Sequence, residues 1–257
     1  MILTKLKEFL DSNIDNDYLL EPIETSFGTI IGAGQYSAAI ELYYDLIPSI
    51  IKKTLKEPIL IITLEKEKMN LVQSVLGKDS IYEIDISKNR EKDLRGWLDC
   101  HEFETEEEAL ENGFEFVWSE YNYSIEPVLE FLESEGDLSF FFIEKGEPID
   151  FSKNELVEEV IEYFDSYFPE SAIYSSTIEE YLEPLCLEEA KEDLKEKIFF
   201  NEENIEEAIE ILSIIKRDLI KMSKAESING KLVSLDIHNQ QFLNLNNEIY
   251  LIDAFIL

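Results

Sequence analysis

Leu235-Asp236-Ile237-His238-Asn239-Gln240-Gln241-Phe242 runs directly into Leu243-Asn244-Leu245-Asn246-Asn247-Glu248-Ile249-Tyr250-Leu251-Ile252-Asp253, and the architecture of the chain turns on these nineteen residues. Apolar and polar side chains alternate on both sides of Asn246-Asn247, a pair suited to a two-residue turn with positive φ, so the stretch from Leu243 onward reads as a β-hairpin. A carboxylate, Asp236, stands just before the hairpin. A carboxamide, Gln241, follows five residues later, and a second carboxylate, Asp253, closes the far strand. A hairpin turns these three polar groups toward one point.

Upstream, Phe27 to Leu42 (FGTIIGAGQYSAAIEL) places β-branched residues on both sides of Gly32-Ala33-Gly34, the pattern of two strands joined by a glycine turn. Pro58 to Leu64 is a continuous apolar run and reads as a strand buried on both faces. Ser80 to Ile86 and Phe114 to Trp118 read as further strands, Ile2 to Leu10 and Glu65 to Leu76 as helices. Thr105 and Glu108 form a capping box ahead of a short helix that Gly113 stops. After about Tyr123 the character changes. Capping boxes at Ser152/Glu155 and Thr177/Glu180 open helical spacing, with Pro169 bounding the first helix. The longest helix is expected over Glu202 to Met222, with Ile205, Ala208, Ile209, Leu212, Ile215 and Leu219 on its apolar face. Glu203, Glu206, Glu207 and Glu210 form its solvated face. The fold class is therefore α+β: a lead-in over 1–26, a strand-rich lobe over 27–121 and a helical lobe over 122–257, with a cleft between the lobes.

The chain has 257 residues, with 57 Asp and Glu against 22 Lys and Arg, a formal net charge of -35. With 45% hydrophobic residues, it has the material for a folded core, which excludes disorder. A surface this negative repels phosphate backbones and anionic lipids, so neither direct nucleic-acid binding nor membrane binding is expected. The densest basic cluster, Lys216, Arg217, Lys221 and Lys224, falls in the last turns of the long helix and reads as structural. Cys100 and Cys186 lie outside any metal-ligand spacing and read as reduced, buried thiols. His101 has no partner at ligand spacing. The start of the chain carries no signal-peptide pattern and no apolar run approaches membrane length, so the expected location is the cytoplasm.

The glycine stretch Gly32-Ala33-Gly34-Gln35-Tyr36-Ser37 would let backbone N–H groups approach phosphate oxygens. It lacks the third glycine of a dinucleotide fingerprint and the lysine of a P-loop. Taken together, Asp236-x-His238-x-x-Gln241, the hairpin and Ile252-Asp253 resemble the catalytic loop and metal-binding aspartate of the protein-kinase-like and aminoglycoside-phosphotransferase-like superfamily. Ile31 to Ala39 resembles its glycine-rich nucleotide loop. The likeness is greatest to the early protein kinases of T7-like phages, and it spans Phe27 to Phe255.

This resemblance implies a two-lobed, protein-kinase-like fold with a reduced helical lobe, and ATP- and Mg²⁺-dependent phosphoryl transfer to a hydroxyl, on a protein Ser or Thr. It makes Asp236 the catalytic aspartate and His238 a loop-orienting or phosphate-contacting residue. Gln241 takes the place of the metal-binding Asn, and Asp253 is the principal magnesium ligand. Gly32, Gly34 and Ser37 would cover the phosphates, and Lys52 is assigned to pair with them. Its acidic partner is Glu65 or Glu67, between which the spacing does not choose. Trp118 to Asn122, with Glu120, reads as the hinge where an adenine binds. Two departures from the family pattern stand out: Gln241 for Asn, and Ala254-Phe255 for Phe-Gly. The alternative expectation is a catalytically dead kinase-like protein whose acidic surface engages a basic protein or imitates DNA to a DNA-binding partner.

Overall fold

The computed structural model describes residues 22–33, 37–65, 67–135, 138–147, 154–168, 172–197, 204–238, 241–252 and 254–256. The N-terminal helix expectation, Gly34, Ser152, Pro169 and Asp253 lie outside them. The first elements in chain order are β1 (Ile23–Glu24), β2 (Gly28–Ala33), β3 (Ser37–Leu42), α1 (Ser49–Thr54), β4 (Pro58–Thr63), α2 (Lys68–Leu76) and β5 (Ile81–Glu83). Then come α3 (Ile86–His101), α4 (Glu106–Glu111), α5 (Trp118–Tyr121), α6 (Glu126–Glu135) and β6 (Ser139–Glu144). The remainder holds α7 (Asn154–Asp165), β7 (Ile173–Tyr174), α8 (Ile178–Leu182), α9 (Leu187–Lys195) and α10 (Ile205–Ser223). Four strands follow: β8 (Leu232–Leu235), β9 (Phe242–Leu245), β10 (Glu248–Leu251) and β11 (Phe255–Ile256). The chain is thus mixed α and β, and it divides into two compact units, Met1–Lys66 with Tyr82–Glu144 and Glu67–Ile81 with Lys145–Leu257.

The first unit is built on a sheet of order β1-β2-β3-β4-β6-β5, in which β1 through β4 and β6 pair antiparallel. The apolar run of β4 behaves as expected. Ile59, Leu60 and Ile62 are all buried, as are Phe140 to Ile143 on β6 beside it, so both faces of these central strands are covered. One face packs into a core with Ile51, Trp118, Ile125, Leu129 and Leu132. Close backbone packing needs glycine at Gly28, where a Cβ would overlap the Glu41 carbonyl oxygen. The Thr105 cap forms as read, its hydroxyl accepting the Glu108 N–H at 3.1 Å.

In the second unit α10 packs against α2, α7, α8, α9 and β10. The helix runs Ile205 to Ser223 and buries the expected stripe, except that Ile209 is only partly covered while Ile211 and Ile214 go inside. Strands β7, β8 and β11 form a small sheet, and β9 and β10 pair as the hairpin. Asn246 and Asn247 turn it at φ 55° and 65°.

Three local expectations are corrected. Phe114 to Trp118 is no strand: 114–117 is irregular, and Trp118 begins a helical turn. The alternation that suggested a strand comes from Phe116 and Trp118 entering the core on a backbone with no ladder partner, while the Trp118 indole donates to Asp93 at 2.8 Å. Thr177 does not cap its helix through its side chain, because its hydroxyl donates back to the Tyr174 carbonyl at 2.8 Å. Both cysteines are free and exposed rather than buried, Cys100 in the last turn of α3 and Cys186 just before α9.

Candidate functional site

Asp236 leaves the end of β8, and the chain returns to the same place after the hairpin. The Asp236 N–H donates to the Ala254 carbonyl at 3.0 Å, continuing the β8–β11 ladder by one bond. The Ile252 N–H donates to the Gln241 carbonyl at 2.9 Å, which ties the far end of the hairpin to its near end. Both residues flanking position 253 are therefore bonded to the 236–241 loop. The backbone alone thus brings the far end of the hairpin back to its near end.

The loop is held from inside by Gln241, which is 7% exposed. Its Oε1 accepts the His238 N–H at 3.0 Å, its own N–H donates to the His238 carbonyl at 3.1 Å, and its Nε2 lies 3.0 Å from His238 Nε2. That imidazole nitrogen is also 3.6 Å from Asp236 Oδ2. The Asp236 side chain remains 48% exposed.

Beneath the hairpin is a buried carboxylate that sequence reasoning missed. Asp218 on α10 is fully buried; it accepts two bonds from the Arg217 guanidinium at 2.7 and 2.8 Å and one from the Leu251 N–H at 2.9 Å. Lys221 stands 3.3 Å away. Arg217 also donates to the Ile249 carbonyl at 2.6 Å and pairs with Glu248 at 3.2 Å. The Asp218 carboxylate holds the Arg217 guanidinium above its usual pKa, and burial raises the Tyr250 phenol, whose ring lies 5.1 Å under Arg217. The signal was available: Asp218 falls at helical spacing between Ile214, Ile215 and Met222, a charge inside an apolar stripe. The structural reading of the basic cluster also finds its partners, since Lys216 donates to the Leu185 carbonyl and Lys224 pairs with Glu179.

Glu158, Ile161, Glu162 and Asp165 of α7 line a groove of about 240 Å³ with Ile237 and His238. Partial burial raises the Asp165 carboxyl above its ordinary value.

Gly32, Ser37, Lys52 and Glu120 belong to the first unit. Gly32 pairs with Ala39 across the β2–β3 hairpin, beside a bulge after Ile30, and a Cβ there would meet only the Ala39 methyl at 3.9 Å. Packing does not demand a glycine at this position. The Ser37 hydroxyl donates to Thr63 Oγ1 at 2.9 Å, joining β3 to β4. Lys52 sits on α1 with its ammonium 4.3 Å over the exposed Tyr44 ring. Glu120 is exposed on α5, on a helical turn rather than at a strand end. Of the two acids considered as Lys52 partners, Glu67 is bonded to Lys231 at 2.6 Å. In the second unit, the structure brings Asp236, His238 and Gln241 together. Among the described residues no group of three or more His, Cys, Asp or Glu could hold a metal ion, and no helix is long and apolar enough to cross a membrane. Comparison of the chain with protein-family models, with curated proteins and with solved structures finds no match.

Proposed function

We propose that the protein is a kinase-like phosphotransferase that moves the γ-phosphoryl group of ATP to a hydroxyl, with a protein Ser or Thr as acceptor. The observation that carries this reading is the solvent-open Asp236 carboxylate on a loop whose backbone is bonded to both neighbours of Asp253. In this role Asp236 orients the acceptor hydroxyl and takes its proton as the phosphorus–oxygen bond forms. His238 and Gln241 keep the loop in one conformation, which fixes where the carboxylate stands. Gly32 supplies a backbone without a side chain in the way of phosphate oxygens, a role consistent with a glycine that packing leaves unexplained. Magnesium, when bound, supplies charge neutralisation between phosphate oxygens. Asp253 would hold it, and Gln241 could join only through the second lone pair of an oxygen that already accepts the His238 N–H.

The test has two parts. Mg·ATP is expected to raise the melting temperature of the wild type but not of Asp253→Ala, and Gly32→Ala is expected to weaken that response without lowering the melting temperature of the free protein. Transfer of γ-labelled phosphate to a Ser/Thr peptide library should fall by about 10²- to 10⁴-fold in Asp236→Asn. No thermal response to Mg·ATP at millimolar concentration would remove the proposal. A second reading, nucleotide binding without transfer, is favoured by the engagement of the Gln241 carboxamide inside its own loop. It predicts the thermal response with no transferred label.

A further inference from the structure

From Gly96 to Glu144 the chain carries fifteen Asp and Glu and not one Lys or Arg. These 49 of 257 residues hold fifteen of the thirty-five net negative charges, so the acidity is concentrated rather than spread. On the same segment aromatic rings meet in a continuous ladder of tilted and edge-on contacts. Phe103 lies 5.2 Å from Phe114, Phe114 5.8 Å from His101 and His101 4.7 Å from Trp97. Trp97 is 5.5 Å from Phe116, and Phe116 is 5.7 Å from Tyr121. Phe114 is 46% exposed and Tyr121 42%, with Leu110 at 53% beside them. Asp99, Glu102, Glu104, Glu115 and Glu120 are exposed along the same stretch.

We propose that this ladder is a docking surface for an arginine-bearing segment of a partner protein. Exposed aromatic faces attract cations, and a planar guanidinium can stack on a ring while its N–H groups reach carboxylates, which an ammonium cannot do as well. The molecule already contains one instance. The Arg90 guanidinium lies 5.7 Å over the Phe116 ring, and it pairs with Glu130 at 3.1 Å and Glu106 at 3.6 Å. Phe114 and Tyr121 are exposed, and the acidic residues next to them in the chain, Glu115 and Glu120, are exposed as well. Charge settles the kind of occupant: a nucleic acid or an anionic membrane is repelled, and a second copy of this segment would set fifteen negative charges against fifteen more. All these residues belong to the first unit, and only Glu120 and Tyr121, in the stretch assigned to the adenine hinge, are shared with the phosphoryl-transfer reading, so the surface goes beyond that reading and stands without it.

The probe is an oligoarginine peptide, titrated into the full chain at physiological salt beside an oligolysine peptide of equal length. Binding is followed by peptide anisotropy and by the fluorescence of Trp97, a ladder rung. The arginine peptide is expected to bind more tightly than the lysine peptide and to quench the tryptophan. Phe114→Ala with Tyr121→Ala should weaken it about tenfold and remove the preference for arginine. Tyr174→Ala, an equally exposed aromatic of the second unit, should change nothing. Equal affinity for the two peptides, or equal weakening by the Tyr174 variant, would assign the binding to bulk acidity and overturn the proposal. If the double aromatic variant does not fold, Glu115→Lys with Glu120→Lys decides in its place, and unchanged arginine binding by that variant overturns it as well.

Discussion

Gln241 and His238 lock to each other through three hydrogen bonds at about 3 Å, and this lock ties the chain at His238 to the start of the hairpin. Gln241→Ala removes the acceptor of the His238 N–H and is expected to cost about 1–3 kcal/mol, measured by denaturant unfolding. The sequence named both residues, but not their mutual bonding, because a carboxamide placed next to a metal-binding pattern reads equally well as a ligand or as a clasp. Asp165, in the groove beside His238, was not singled out at all. Its carboxyl is raised by burial, so the folded protein holds that proton at pH values where the unfolded chain has lost it. Asp165 therefore opposes folding once pH has risen through its raised pKa, and has no such effect below the ordinary carboxylate range. Asp165→Asn is expected to raise the melting temperature at neutral pH, with the difference closing as pH falls through that range in thermal scans.

At the scale of elements, α10 and the β9–β10 hairpin act as one body because Asp218, buried in the helix, bonds the Leu251 N–H directly and the Ile249 carbonyl through Arg217. Removing Asp218 strips the buried Leu251 N–H of its acceptor and Arg217 of its two shortest carboxylate bonds, which is more damaging than never having made the pair. Asp218→Ala is expected to cost about 3–5 kcal/mol in urea unfolding, and to increase hydrogen exchange first at the hairpin amides. Helix and hairpin were both legible from local pattern: the 3.6-residue apolar stripe of Ile205 to Met222 and the Asn246-Asn247 turn. The clasp between them was not, because it joins residues more than thirty positions apart. Phe114 to Trp118 shows the opposite failure. Its alternation was real, but a strand also needs a neighbouring strand to bond, and among the described residues none pairs with it.

For the whole molecule the net charge of -35 dominates long-range electrostatics. Individual surface ion pairs such as Arg95–Glu91 are worth about 0–1 kcal/mol and weaken with salt, whereas self-repulsion among so many carboxylates is relieved by it. The melting temperature is therefore expected to rise between about 10 mM and about 150 mM salt, as the screening length shortens from about 30 Å to about 8 Å. A fall would mean that attractive pairs outweigh the repulsion. Composition and periodicity by themselves determined that this is a mixed α and β chain with an acidic surface, that its central strands are buried on both faces and that Asp236 and Gln241 precede a late hairpin. Those properties follow from local backbone preference and from the sign of each side chain, which adjacent residues report fully. Only the tertiary structure decided that Gln241 turns back onto His238, that Asp218 lies buried under the hairpin, and that the rings of Trp97, His101, Phe103, Phe114, Phe116 and Tyr121 touch one another in a chain that leaves Phe114 and Tyr121 exposed. Each of these depends on which distant groups are brought within about 3 to 6 Å, and short-range bonding and ring contact have no counterpart in the order of residues along a chain.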